Sequence, residues 1–420
     1  MNTKLKLISV MVGLSLGQGA AQAATDMEML MKILQKKGVV TSQEAQEILQ
    51  ETQDALDTQK SEQTALKEHV TASEEAVATL NKIKFKGDLR VREDVQSYDV
   101  TAAPDKADRN RQRYRARFGF TYDVSDQTEL GLTLASGETD VGSTNQTFEN
   151  SFDPKAIFLD KAYVHQKFMD GGVEFLAGKF ENPFQPSTWL VYDSDVRFEG
   201  FAGRVNGDMG NSKLHASGGF FPLDEASGST ADPFLGVAQV GALTAINDDT
   251  ALDTKLAFYH FEDVNAIDGT GKTRTGNTAT LANGIEYEVM NLTAELALKK
   301  LLPIPAKLVG DYIHNTAAED LNNGWLIGLD LGKKPKEFGD LMGFLTYSHL
   351  EADATYDQFT DSDFHSGGTN NEGWTLGYVY GLGKGWNHEL KYYNTQEESD
   401  LAHDGQNDEQ RLQVDMNYKF

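Results

Sequence analysis

The sequence predicts an all-β membrane protein, in which a 16-stranded antiparallel transmembrane β-barrel follows a short helical or coiled-coil periplasmic segment. Three observations predict this fold. The C-terminal residues 411–420 alternate between apolar and polar side chains, the same period recurs from residue 83 onward, and the connections between candidate strands are alternately short and long. We assign residues 1–23 to a signal peptide, 24–82 to the helical segment and 83–420 to the barrel.

The last ten residues form the clearest candidate strand. Its apolar side comprises Leu412, Val414, Met416, Tyr418 and Phe420, and its polar side Arg411, Gln413, Asp415, Asn417 and Lys419. A period of two gives one apolar and one polar face, which also suits a half-buried edge strand of a soluble sheet. We favour a barrel because this strand follows many similar ones, and pairing it with the first would leave no open edge in lipid.

The composition narrows the class of protein. The chain has 420 residues, 64 acidic and 38 basic side chains, and a mean hydropathy of −0.47. Past the N-terminus no apolar run approaches the ~18 residues of a membrane-spanning helix, whereas barrel strands with a polar inner face keep mean hydropathy low. The absence of cysteine excludes disulfides, thiolate zinc sites and covalent haem. The net charge of −26 argues against a nucleic-acid binder.

The N-terminus has the pattern of a secretory signal. Lys4 and Lys6 precede an apolar core at residues 7–16, and residues 21–23, Ala-Gln-Ala, offer a small-residue cleavage site. We therefore expect the protein to leave the cytoplasm.

The segment before the barrel has helical periodicity. A short helix is predicted at residues 27–37, ended by Gly38, and Thr41 with Glu44 forms a capping-box pattern that opens a longer helix. A heptad register runs through residues 45–80, but its middle is polar, so the coiled coil is weak alone. We interpret the segment as a stalk that trimerises or contacts the cell wall; the alternative is a solvated single helix or a partly disordered linker.

Sixteen candidate strands follow. They are predicted near residues 84–97, 110–124, 127–136, 156–168, 172–181, 195–205, 212–221, 234–246, 252–262, 285–299, 305–315, 323–333, 339–352, 371–382, 386–397 and 409–420. The connections after the even strands are short, at 125–126, 169–171, 206–211, 247–251, 300–304, 334–338 and 383–385. Those after the odd strands are mostly long and polar, as at 137–155, 263–284, 352–370 and 399–408.

This alternation of turns and loops is typical of outer-membrane barrels, whose short turns face the periplasm. An even number of strands would place both barrel termini at that side, next to the secreted helical segment. Sixteen strands are enough to leave an aqueous channel between the inner side chains.

The second predicted strand carries arginine at every second position. These residues are Arg109, Arg111, Arg113, Arg115 and Arg117, and Arg90 and Arg92 extend the same face from the first strand. Such charges would be prohibitive in a dry core but not in a water-filled lumen. As candidate pore-lining residues they would form a wall that attracts anions or orients dipolar solutes. The structural alternative is that they pair with Asp88, Asp94 and Glu129 and stiffen the barrel.

The connection at residues 182–194 is the candidate for an opposing wall. Pro183 and Trp189 make it stiff, and it would contribute the candidate pore-lining residues Asp193 and, just beyond it, Asp195. Both a lid folded into the lumen and an external loop are compatible with the sequence.

The other polar clusters indicate no catalytic chemistry. The acidic residues between 397 and 409 are interpreted as a solvated loop, with a divalent-ion bridge to lipopolysaccharide as the alternative. The nine histidines form no HExxH motif and no Gly-x-Ser-x-Gly elbow occurs. A barrel enzyme with a Ser–His pair is therefore disfavoured, and we expect no cofactor and no metal.

Nearly the whole chain resembles a bacterial putative-porin family. The matching elements are the signal peptide, the helix–Gly–helix opening at 30–49, the heptads, and residues 86–92, 109–117, 157–163, 177–184, 192–195 and 412–420. The resemblance implies a sixteen-stranded outer-membrane porin, expected to be a homotrimer, with Phe420 as the aromatic residue that barrel-assembly machinery recognises. The arginine row is also similar to that of phosphate-selective porins, but no lysine-rich loop accompanies it.

The function expected from these features is passive diffusion of small hydrophilic solutes and ions through a Gram-negative outer membrane, with a possible bias toward anions. Expected partners are the solutes, outer-membrane lipid and lipopolysaccharide, the assembly machinery and other copies of the chain, but no nucleic acid. The alternative is a structural tether, in which the helical segment binds peptidoglycan and the barrel serves as an anchor.

Overall fold

The computed structural model describes residues 20–99, 107–137, 140–184, 188–225, 232–264, 267, 276–278, 287–300, 304–399 and 408–420. Contacts divide the chain after Asn81 into a helical unit and a strand unit that begins at Lys82. This boundary agrees with the change of sequence period near residue 83.

The helical unit contains two helices, α1 (Ala20–Lys36) and α2 (Ser42–Asn81). Gly38, with φ of 66°, takes the left-handed conformation that commonly ends a helix. The predicted capping box is confirmed: Thr41 N donates to Glu44 Oε2 at 3.1 Å, and Glu44 N donates to Thr41 Oγ1 at 3.3 Å. The signal peptide remains a prediction, because residues 1–19 of that call lie outside the described residues.

The strand unit contains seventeen strands in the described residues. They are β1 (Ile83–Asp99), β2 (Arg109–Asp123), β3 (Thr128–Ala135), β4 (Gln146–Thr147), β5 (Phe158–Phe168), β6 (Val173–Glu181), β7 (Arg197–Met209), β8 (Ser212–Pro222), β9 (Phe234–Asn247), β10 (Thr250–Glu262), β11 (Tyr287–Leu298), β12 (Ala306–Asn315), β13 (Asn323–Gly332), β14 (Leu341–Leu350), β15 (Asn371–Gly383), β16 (Trp386–Glu397) and β17 (Asp408–Lys419).

Sixteen of these strands form a closed antiparallel barrel, as predicted. The ring closes where β1 pairs with both β2 and β17, with Val91 opposite Met416 across the closing pair. The additional strand, β4, is a two-residue segment within the connection from β3 to β5 and pairs with β2. Closure satisfies the backbone donors and acceptors that an open sheet would expose to lipid.

The strands of the closing pair have an apolar outer face and a polar inner face. In β1, Val91 and Val95 are exposed on the outside, whereas Arg92 and Asp94 are buried on the inside. Strand β17 shows the same alternation, which confirms the face assignment made from residues 411–420.

The connections alternate in length as predicted, except that 316–322 at one end is no longer than 299–305 and 333–340 at the other. The short ones lie at residues 124–127, 169–172, 210–211, 248–249, 299–305, 333–340 and 384–385, on the side called the turn end below. The long ones lie at 100–108, 136–157, 182–196, 223–233, 263–286, 316–322, 351–370 and 398–407, on the side called the loop end.

One predicted boundary is wrong. The turn expected at residues 206–211 is much shorter, because residues 206–209 pair with β8, with Asp208 opposite Lys213. The turn is made by Gly210, whose φ of 62° suits glycine in a tight hairpin.

Parts of several long connections lie inside the barrel, including Asn145, which accepts from Arg90 Nη2, and Asn277, which donates to the carbonyl oxygen of Ala352. The described part of 182–196, the inner loop, and residues 351–370, the plug loop, pack against inward side chains of the wall. Of the two possibilities that the sequence left for residues 182–194, the structure therefore shows the lid inside the barrel; residues 185–187 lie outside the described residues.

Candidate functional site: a charged wall and the loops packed against it

The arginine row of β2 lies on the inner face of the barrel. Because side chains alternate along a strand, the odd-numbered arginines share one face, and β1 contributes Arg90 opposite Arg115 and Arg92 opposite Arg113. Arg109, nearest the loop end, is exposed, whereas Arg115 is buried. The role of these residues as pore lining is not tested by their position alone and stays a prediction.

Inward carboxylates of β1 pair with these arginines. Asp88 accepts from Arg115 Nε at 3.0 Å and from Arg117 Nε at 2.7 Å, and Asp94 accepts from Arg111 Nη2 at 2.6 Å. Two of the three acids named in the structural alternative are therefore partners. The third, Glu129, accepts a hydrogen bond from Tyr163 instead.

Strand β17 adds two residues that the sequence analysis did not nominate. Arg92 makes a two-bond pair with Asp415, at 2.7 and 2.8 Å, across the closing strands. Arg411 makes a similar pair with Asp94, at 2.8 and 2.9 Å. Fork-to-fork pairs are the strongest ion-pair geometry available to arginine. The signal was present, since Arg411 and Asp415 both lie on the polar face of the last strand, but finding their partners requires the β1–β17 register.

The plug loop reaches this wall through Asp363. Its Oδ2 accepts from Arg92 Nη1 at 2.9 Å, and its Oδ1 lies 2.9 Å from Arg411 Nη2. Burial acts to raise the pKa of Asp363, but Arg92 and Arg411 hold it well below its usual value. The neighbouring Asp361 accepts from the backbone N–H groups of Asp363 and Phe364, and burial together with Asp363 raises its pKa.

The inner loop contacts the same wall through Asp195. Its Oδ1 lies 3.2 Å from Arg117 Nη1 and 3.6 Å from Arg115 Nη1, and its Oδ2 accepts from the Thr144 hydroxyl. Burial opposes ionisation of Asp195, but Arg115 and Arg117 lower its pKa to about 2. The predicted opposing wall is thus in direct contact with the arginines.

Asp193 joins the inner loop to the plug loop. Its carboxylate accepts from the backbone N–H of Asp195 and of Ser362, both at 2.8 Å, and its own N–H donates to the carbonyl oxygen of Phe359. Burial, with Asp361 and Asp195 nearby, raises the pKa of Asp193 to about 8. The two loops are therefore held to each other as well as to the wall.

The opposite side of the interior is apolar. Tyr192 of the inner loop packs on Tyr259 of β10 with ring centroids 5.4 Å apart, and Tyr356 of the plug loop packs on Phe261 at 5.8 Å. Residues from β6 to β14 complete this buried cluster. Aromatic side chains and two loops therefore fill part of the interior in which the sequence analysis predicts a water-filled channel.

Two cavities remain beside the loops. One, of about 640 Å³, lies toward the turn end and is lined by Lys86, Arg117 and Asp160, among others. The second, of about 470 Å³, is lined by Asp160, Asp195 and Arg197. Asp160 faces both cavities and pairs with Arg197 at 3.1 Å. Neither Asp160 nor Arg197 was nominated from the sequence, because the two lie far apart in the chain and neither belongs to a row of like charges.

Two further predicted features can be placed. Phe420 exchanges two backbone hydrogen bonds with Gly87, both of 3.1 Å, and its ring is exposed next to Phe118. Its recognition by assembly machinery stays a prediction. In the acidic run, residues 400–407 lie outside the described residues, and Glu409 is buried inside the barrel against Ser366, so this part of the run is not a solvated loop.

No helix in the described residues combines the length and the apolar character needed to cross a bilayer.

A closed sixteen-stranded barrel with an apolar outer face and a charged interior defines a membrane β-barrel of the porin class. The sequence profile of the family described as "Putative porin" matches residues 100–283 and 270–420. The chain therefore belongs to the putative-porin family and is an outer-membrane channel protein. Family and fold are those of non-enzymatic channels.

Solved porins share this fold. The high-pH structure of Pseudomonas putida OprB has a TM-score of 0.53 at 10% identity, over 82% of this chain and 96% of that one. Salmonella typhi OmpF in complex with daunomycin has a TM-score of 0.50 at 10% identity, over 80% of this chain and 97% of that one. At such identities the likeness concerns the fold alone. None of the curated protein sequences compared with the chain matches it.

Proposed function

We propose that the chain is a passive diffusion channel for small hydrophilic solutes and ions, whose path runs through the two cavities that meet at Asp160. The observation that carries this proposal is that Asp160 lines both cavities. Arg117 lines the larger cavity, and Asp195 and Arg197 line the smaller one. Opposed charges around such a path orient dipolar solutes and order water. The helical unit would lie in the periplasm.

Pairing in the arginine wall limits how strongly it can prefer anions. Seven arginines (Arg90, Arg92, Arg111, Arg113, Arg115, Arg117 and Arg411) share five aspartates (Asp88, Asp94, Asp195, Asp363 and Asp415), an excess of two positive charges. The second cavity is also lined by Asp140 and Glu199. We therefore expect only a weak anion bias in the natural protein.

Single-channel conductance in a planar bilayer, with a salt gradient across it, tests both statements. Discrete steps from the natural protein would support the channel. Asp195→Asn should shift the reversal potential toward anions, because Arg115 and Arg117 lose a counter-charge. Replacing Arg113, Arg115 and Arg117 with alanine should shift it toward cations.

A matched control is Glu93→Gln, which removes a carboxylate paired with Gln112 on the outer face of β1. It should leave the reversal potential unchanged. If D195N and the triple variant behave like E93Q, the arginine wall does not set ion preference. Absence of conductance from correctly folded protein would refute the diffusion channel itself.

The tether is a second candidate because α2 leaves its apolar heptad residues, including Leu66, Val70 and Leu80, exposed in the single chain. These residues could associate in a trimer or rest against the cell wall. Deleting residues 24–82 separates the two functions. A tether would lose attachment to peptidoglycan in a sedimentation assay, whereas a channel would keep its conductance. Steps grouped in threes would support a trimer.

A further inference from the structure

A second polar cluster lies on the outer side of the barrel wall at the loop end. His349 is the penultimate residue of β14, Glu351 follows that strand, and Glu398 follows β16. One ligand atom from each residue lies within 4.8 Å of the other two. The cluster is separate from the arginine wall, which occupies the inner face of β1, β2 and β17.

A neighbouring carboxylate orients His349. Its Nδ1 lies 3.0 Å from Glu372 Oε2, and Glu372 is itself held by the Tyr347 hydroxyl and by Gln396 Nε2. A histidine that donates Nδ1–H to a carboxylate keeps the Nε2 lone pair free. Nε2 lies 4.0 Å from Glu351 Oε1. This carboxylate–histidine arrangement is the usual support of a metal-binding imidazole.

Both glutamates also have an oxygen available. Glu351 Oε2 accepts from the backbone N–H and the side-chain amide of Asn323, at 2.6 and 3.1 Å, which fixes the group and directs Oε1 toward His349. Glu398 Oε2 is buried and has no hydrogen-bond partner among the described residues. A buried carboxylate oxygen without a partner is costly, and a cation between the three residues would remove that cost.

We propose that His349, Glu351 and Glu398 bind one divalent first-row transition-metal ion of the zinc type. One imidazole nitrogen with two carboxylate oxygens suits Zn²⁺ and its neighbours, whereas Ca²⁺ and Mg²⁺ take oxygen ligands alone. Tetrahedral ligands at 2.0–2.1 Å from zinc are ~3.4 Å apart, so small side-chain rotations would close the site. A fourth position stays open to water.

The ion would link the first residue of the plug loop to the segment that follows β16. Glu351 is the first residue of that loop, and the segment carrying Glu398 is already attached to its far end, since Ser399 Oγ donates to Asn370 Oδ1 at 2.7 Å. Binding would therefore restrain both ends of the loop from outside the barrel, without entering the path proposed for solutes.

The experiment is a calorimetric titration of the purified, folded full-length protein in detergent with zinc chloride. We expect one ion per chain. His349→Ala and Glu398→Gln should each weaken binding by at least about tenfold, and Glu372→Gln, which removes only the support of the imidazole, by about 10–100-fold. Co²⁺ should give the visible absorption of a nitrogen–oxygen site, and Ni²⁺ should quench Trp325, whose ring lies 5.8 Å from that of His349.

The matched control is His388→Ala. His388 is also half-buried and stacked on an aromatic ring, that of Tyr378, but lies near the turn end. Circular dichroism and heat-modifiable gel migration establish that each variant is folded. Zinc binding that is equal in the H349A, E398Q and H388A variants would overturn the proposal. So would displacement of zinc by an equal concentration of Ca²⁺ or Mg²⁺. These results are independent of whether the barrel conducts ions.

Discussion

Asp363 holds the plug loop to the wall, and replacing it with asparagine tests that role. The carboxylate is shared by Arg92 and Arg411, each at 2.9 Å. The side chain of Arg92 is fully buried and that of Arg411 nearly so. Asp363→Asn keeps the shape of the side chain but removes the negative charge that both arginines contact.

The loss of docking free energy in D363N depends on the ion pairs that Arg92 and Arg411 retain. Removing one partner of a buried ion pair typically costs about 3–5 kcal/mol. Here Arg92 keeps its two bonds to Asp415, and Arg411 keeps its two bonds to Asp94. We therefore expect the lower end of this range. D363N should weaken docking of the plug loop by about 3 kcal/mol, which lowers the docking equilibrium constant on the order of 100-fold.

Thiol labelling can measure this change, because the natural chain has no cysteine. Thr355 of the plug loop is fully buried, and its hydroxyl has no hydrogen-bond partner among the described residues. Thr355→Cys should therefore be a mild reporter that reacts only when the loop undocks. Adding D363N should accelerate labelling on the order of 100-fold.

The control again is Glu93→Gln, on the outer face, which should leave the labelling rate of T355C unchanged. A D363N variant that labels no faster than E93Q would show that Asp363 does not anchor the loop. Fast labelling of T355C alone would show that the loop is not docked in the natural protein.

Two further predictions concern other contacts. Burial raises the pKa of Asp193 to about 8, above the usual value of 3.8. The docked state then binds a proton that the undocked state releases, so docking weakens as pH rises from about 4 to about 8 and is constant above. Because burial also raises the pKa of Asp361, Asp193→Asn should reduce this dependence of T355C labelling, after normalisation to a free thiol, without removing it. An undiminished dependence would exclude Asp193 as a source. Thr41→Ala should destabilise the helical unit by about 1 kcal/mol, seen as a lower helical melting transition in the full chain, and an unchanged transition would contradict the cap.

The barrel could be predicted because its signals are local. Alternation of side chains defines each strand and its lipid face within about ten residues, and the lengths of the connections define the topology. The ends of the strands were harder to predict from the sequence. Asn206 and Asp208 are typical turn residues, yet they continue β7, because Gly210 alone supplies the conformation that the hairpin needs.

The site was only partly predictable, for a different reason. The arginine row and two of its acidic partners lie on adjacent strands, so spacing alone brings them together. Asp363 lies far along the chain on a loop, and its position depends on aromatic packing such as that of Tyr356 on Phe261. On β10 the neighbouring residues Phe258 and Tyr259 are both aromatic, the first outside and the second buried. No alternation shows which of the two faces lipid.

The arginine wall and the loops depend on each other, which bears on how selectivity could arise. Unpaired arginines in a row would repel one another strongly in a partly desolvated interior. The loops place Asp195 and Asp363 next to the arginines, where the wall has an excess of positive charge. Any movement that undocks the plug loop removes Asp363 from Arg92 and Arg411, so it both widens the interior and leaves the wall more positive. Conductance and anion preference should therefore rise together in D363N, whereas D195N should change preference with little effect on the plug loop. Separate responses of this kind would assign ion preference to particular carboxylates rather than to the arginine row as a whole.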